Sequence, residues 1–200
     1  ILAHGRSWPC PSPRADAQRV LRYLERTRSL GLTYSFSPKA IQGFADADYI
    51  DGSSSIGWNF QYSQAAISWG SKKQKTVTKS SLDASIMSTS EAAKEARYLT
   101  MLIREIGFPA DSAMRLFISD PAVLDHLYAP DHERSRHTMR RHAWLQEQVD
   151  TEFLTFPIVS PSDNPAKFFP GNRKQQPLLK LRNINMNVGS RVDTCPLSIH

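Results

Sequence analysis

The chain has 200 residues, an ordinary apolar share of 40% and a net charge of +6. That length suits one domain with extensions and a real core, and the basic excess fits a polyanionic partner as readily as a solubilising surface. Two cysteines, Cys10 and Cys195, give neither a disulfide framework nor a zinc spacing and fit a reducing compartment. No apolar run approaches the ~18 residues of a membrane span and no signal peptide opens the sequence. An intracellular protein, cytoplasmic or nuclear and without a membrane partner, is the expectation. The sequence starts at Ile1 rather than methionine, as a fragment of a longer chain would.

In chain order, residues 1–14 are proline-rich and without periodicity, an irregular leader. Ala17, Val20, Leu21 and Leu24 then recur at helical spacing, and Gly31 stands where a helix would stop. Residues 42–49 alternate as a strand does, with Asp46 at its centre. An acid there is costly unless something pairs with it, so Asp46 is the first candidate for chemistry. DGSSS predicts a turn, and IGWNFQY and AAISWGS predict two further strands, close enough in sequence to pair antiparallel. KKQK follows on an edge or loop. Ser80 and Ser81 begin a long helix through about Ile106, with Ala92, Ala96, Leu99, Leu102, Ile103 and Ile106 as its apolar stripe and Gly107 as its stop.

MRLFISD (114–120) is a compact apolar strand ending in Asp120, and PAVLDHLYA predicts a short helix opened by proline. The histidine- and arginine-rich segment from His132 to Asp150 reads as helix or helix plus loop. EFLTFPIVS (152–160) predicts a strand, and PSDNPAKFF a turn into a short helix. From about Pro170 the periodicity fades, and the remainder is expected to be an irregular tail. His126, His132, His137 and His142 are spaced by six, five and five residues, not the i, i+4 pairing of a helical metal site. No nucleophile elbow supports Ser-His-Asp hydrolysis.

The segments RVLRYLERTRSLGLTY, GFADADY, AISWGSKKQKTV, SSLDASIMSTSEAAKEARYL, HERSRH and SDNPAKFF resemble, in order and spacing, the ribonuclease H region of copia-type LTR retrotransposon polyproteins. RVLRYL resembles the end of the reverse transcriptase that precedes it. The resemblance covers about residues 18–170. It implies a ribonuclease H-like α/β fold, with a five-stranded mixed sheet (three antiparallel strands, then two parallel) flanked by helices. The expected boundaries are 1–41 for the leader and polymerase-like helix, 42–169 for the domain and 170–200 for the tail.

In that family four acids hold two Mg²⁺ or Mn²⁺ ions, and an activated water cleaves the RNA strand of an RNA–DNA hybrid. Two such ions about 3.5–4 Å apart repel each other and require several carboxylates. Asp46 matches the first ligand and Asp120 the third. The second falls on Ser85 and the fourth on Lys167, while the family's asparagine after the third acid is Pro121. Asp83, Glu91 and Asp48 are not placed to substitute. The resemblance therefore implies an impaired hydrolase, with Lys167 pairing an aspartate where a metal would sit. The alternative is a catalytically inactive nucleic-acid-binding module or a decayed element. Lys72, Lys73 and Lys75, with Arg134, Arg136, Arg140 and Arg141, are the candidates for phosphate contacts, against the plainer reading of a solvated surface. A reverse transcriptase domain is the other implied partner.

Overall fold

A computed structural model describes residues 11–34, 40–50, 53–74, 80–107, 113–128, 136–170 and 175–187. The chain divides into two compact units, Ile1–Leu32 and Thr33–His200. The first holds helix α1 (Pro11–Arg26), closed by Thr27, whose hydroxyl donates to the Tyr23 carbonyl at 2.7 Å. Thr33 N–H donates to the Met186 carbonyl at 3.1 Å and the Tyr34 hydroxyl to the Ala66 carbonyl at 2.8 Å, which makes both part of the second unit.

That unit is built on one sheet of β1 (Gln42–Ile50), β2 (Ser53–Tyr62), β3 (Ala65–Lys73), β4 (Met114–Phe117) and β5 (Leu154–Thr155). The order is β3-β2-β1-β4-β5. β1–β2 and β2–β3 pair antiparallel, and β4 joins β1 and β5 in parallel. This is the ribonuclease H-like layout. The three serines assigned to a turn lie in β2 instead. The two-residue β2–β3 turn puts Ser63 and Gln64 at φ of 48° and 72°, the positive values that such a turn needs to follow the strand twist.

Helix α2 (Ser81–Glu105) makes the long crossover to β4, as a parallel connection requires. Ser80 caps it by accepting from the Asp83 N–H at 3.1 Å, and Gly107, at φ +84°, follows its end. Its inner face packs Ile86, Ala92, Ala93, Ala96 and Leu99 onto Ala45, Phe60 and Leu116 of the sheet. The apolar stripe is shorter than expected, since Leu102 and Ile106 are exposed. Helices α3 (Ala122–Tyr128) and α4 (Arg136–Asp150) complete this side. The strand expected over 152–160 is cut to β5 plus a bridge between Ile118 and Ile158, because Pro157 has no N–H for the ladder.

The opposite face is covered by a 3-10 helix (Pro165–Phe168) and by α5 (Gln175–Met186). α5 corrects the expectation of an irregular tail after residue 170. Its inner face buries Leu181 and Asn185, four residues apart, and the Asn185 amide donates to the Pro165 and Leu181 carbonyls at 3.3 and 2.8 Å. A buried asparagine on the inward stripe blurs the hydrophobic period that would have announced the helix. Among the described residues no helix is long and apolar enough to cross a membrane.

Candidate active site

Asp46 stands opposite Gly57 in the β1–β2 register, so both point to the same face. A Cβ on Gly57 would lie 2.8 Å from Phe169 Cβ and Pro170 Cδ and 3.0 Å from the Ala166 carbonyl. The missing side chain therefore lets the 3-10 helix lie against the sheet on the Asp46 face. Asn164 fixes it there. Its side-chain oxygen accepts from the Ala166 N–H at 3.0 Å, and its amide donates to the Ala45 carbonyl at 2.9 Å and the Ser119 hydroxyl at 2.8 Å. This fully buried residue ties together β1, the end of β4 and the segment that carries Lys167.

Asp120 follows β4, and one carboxylate oxygen accepts from the Ala122 N–H at 3.1 Å, at the start of α3. Ser85 sits one turn into α2, and one turn further on the Ser88 hydroxyl donates to the Asp46 carbonyl at 2.7 Å. Asp46, Ser85, Asp120 and Lys167 all line one open cleft of about 240 Å³, with the hydroxyls of Ser88, Thr89 and Ser119 between them. Four positions far apart in sequence are thus brought together. Asn164, Ser88 and Gly57 were not singled out from the sequence, although an asparagine before proline is a helix-start signal.

The other acids lie elsewhere. Glu91 is held by Lys94 at 2.6 Å and Lys72 at 3.2 Å. Burial alone would raise its carboxyl, but hydrogen bonds and charge from Lys94, then Lys72, hold it below its ordinary value. Neither Glu91, Asp83 nor Asp48 lines the cleft. Among the described residues no group of three or more His, Cys, Asp or Glu is placed to hold a metal ion. The cleft offers two carboxylates, four hydroxyls and an ammonium, and two carboxylates beside an ammonium are a donor set that does not fit two divalent cations. His126 and His142 meet edge to face with ring centroids 5.4 Å apart, and His142 Nε2 lies 2.7 Å from the His126 carbonyl. That contact joins α3 to α4.

The basic residues divide. Lys72 and Lys73 lie on the edge strand β3. Arg140 is exposed and Arg141 half-buried on α4, which Arg136 opens. α4 packs against α2 and β5, so the two clusters lie on different elements, the edge strand β3 and the helix α4. Lys75 and Arg134 lie outside the described residues.

No family model matches the chain. It is 34% identical over 151 residues to the retrovirus-related Pol polyprotein from transposon TNT 1-94 of Nicotiana tabacum, a match covering 74% of this chain and 11% of that protein. The corresponding polyprotein from transposon RE2 of Arabidopsis thaliana is 27% identical over 155 residues, again 74% of this chain and 11% of the relative. Secreted RxLR effector protein 161 of Plasmopara viticola is 38% identical over 109 residues, 52% of this chain and 77% of that protein. The chain thus spans about a tenth of the polyproteins' length. Among solved structures, LC11-RNase H1 in complex with RNA/DNA hybrid superposes with a TM-score of 0.49 at 11% identity, over 66% of this chain and 94% of that one. Homologues of the chain thus include retrovirus-related Pol polyproteins from transposons, and the portion described has the ribonuclease H-like sheet layout.

Proposed function

We propose that the cleft is the remnant of a two-metal hydrolase centre and that the domain binds nucleic acid without cleaving it. The observation that carries this reading is the company Asp46 and Asp120 keep, because Ser85 and Lys167 line the same cleft. Two divalent ions bring four positive charges into a small volume, and a site that holds them supplies carboxylates in compensation. Here two carboxylates face an ammonium, which repels cations and itself neutralises one acid. Asp120 also has one oxygen engaged at the start of α3. Lys167 takes over the charge balance that a metal ion would provide beside Asp46 or Asp120. The net charge of +6 and the exposed Lys73 of the β3 edge support retained attraction to a polyanion.

The test is cleavage of an RNA–DNA hybrid in Mg²⁺ and in Mn²⁺, with Asp46→Asn as control. The wild-type chain is expected to show no cleavage above Asp46→Asn, and Ser85→Glu combined with Lys167→Asp to gain it. Wild-type cleavage that Asp46→Asn abolishes would favour the second reading, residual single-metal activity through Asp46 and Asp120, which share the cleft.

A further inference from the structure

Strand alternation sorts the contiguous β3 residues onto two surfaces. Ser71 pairs with Gly57 and its hydroxyl donates to the Phe169 carbonyl at 2.8 Å, so Ser71 faces the 3-10 helix. Trp69 and Lys73, two residues to either side, share that face. Gly70 and Lys72 point the other way. A Cβ on Gly70 would lie 2.2 Å from the Trp58 ring, and Lys72 reaches Glu91 on α2 at 3.2 Å. Neighbouring lysines are therefore unlike: Lys72 is paired on the helical side, and Lys73 is exposed on the side of the cleft.

Trp69 is 54% exposed, an unusual state for a ring that normally buries most of its surface. Asp46, Gly57 and Ser71 form one cross-sheet row, so the strip from Trp69 to Lys73 passes, at Ser71, about two strand spacings, roughly 10 Å, from Asp46. An exposed aromatic side chain followed about 13 Å along the strand by an ammonium with no ion-pair partner among the described residues matches two demands of a nucleic-acid strand, a platform for a base and a counter-charge for a phosphate. Bases inside a duplex already stack on each other and leave nothing for Trp69 to receive. We infer that the Trp69–Lys73 strip of β3 binds single-stranded nucleic acid, one base stacking on Trp69 and one phosphate meeting Lys73.

This inference rests on the nucleic-acid reading above. Fluorescence anisotropy with a 12-nucleotide oligouridine and with an RNA–DNA hybrid, over a salt series, tests both. Trp69→Ala is expected to weaken oligouridine binding roughly tenfold with an unchanged salt slope, and Lys73→Ala to reduce the slope by about 0.7. Lys72→Ala should leave both near wild type. Wild-type binding that Trp69→Ala and Lys73→Ala leave intact, or that Lys72→Ala and Lys73→Ala weaken equally, would overturn the strip but not the binding reading. A wild-type chain that binds neither probe would overturn both. If Trp69→Ala changes self-association in sedimentation but not RNA binding, the strip belongs to a second copy of the chain and the inference fails.

Discussion

The two faces of the sheet differ in kind. On the α2 side Phe60, Ile86, Ala93 and Leu116 are almost wholly buried and form one continuous apolar cluster. On the other side the same strands present Asp46, Gly57, Asn59 and Ser71. Aromatic packing on this side includes Phe44 and Phe117, stacked at 5.0 Å, and Phe168 and Phe169, edge to face at 5.2 Å. Asn59 is completely buried, yet neither side-chain amide atom has a hydrogen-bond partner among the described residues. Its strand neighbour Phe60 points into the apolar cluster. The α2 side supplies the hydrophobic stabilisation and, through Ser85, Ser88 and Thr89, part of the cleft lining, to which the other side adds Lys167. Neither Ser85 nor Lys167 belongs to the apolar cluster.

The largest expected effect sharpens this contrast at Asn164. Replacing it with alanine removes three hydrogen bonds and strands the Ala45 carbonyl, the Ser119 hydroxyl and the Ala166 N–H. At about 1 kcal/mol for each buried group left unpaired, urea denaturation should show a loss of about 2–3 kcal/mol. A loss under about 0.5 kcal/mol would mean that the 3-10 helix is held by something other than Asn164.

Asn59→Leu should move stability the other way. Exchanging a buried amide without partners for an apolar side chain of similar size removes a desolvation penalty, and a gain of about 1 kcal/mol is expected. Destabilisation measured by the same method would show that this face depends on the amide.

The smallest effect lies on the helical side, at Glu91. Its carboxyl is lowered in the folded chain, so its contribution is complete above the unfolded pKa and fades as the pH falls through the lowered folded value. Because the lysine partners are largely exposed, a few tenths of a kcal/mol is the expected size. Thermal melts of wild type and Glu91→Gln should differ slightly at neutral pH and converge in acid.

The sequence made the α2 side the more legible one. Ser80 and Gly107 marked the ends of α2, and the short links between the first strands dictated antiparallel pairing. What escaped depended on single residues acting at a distance. Asn185 hid α5 by putting an amide on its buried stripe, and Pro157 shortened β5. Leu102 and Ile106 continued a helical period past the end of the core. The cleft positions were readable only through the family resemblance, because no local period connects Asp46, Ser85, Asp120 and Lys167. The lysines of KKQK read as one patch until strand geometry separated Lys72 from Lys73.

The central claim is that the Asp46–Asp120 cleft does not hold a pair of divalent ions. Manganese titration followed by electron paramagnetic resonance tests it most directly, comparing the wild-type chain, Asp46→Asn and Ser85→Glu combined with Lys167→Asp. The account predicts no Asp46-dependent manganese site in the wild type and two coupled ions in the double variant. Two ions bound by the wild-type chain and lost in Asp46→Asn would contradict it.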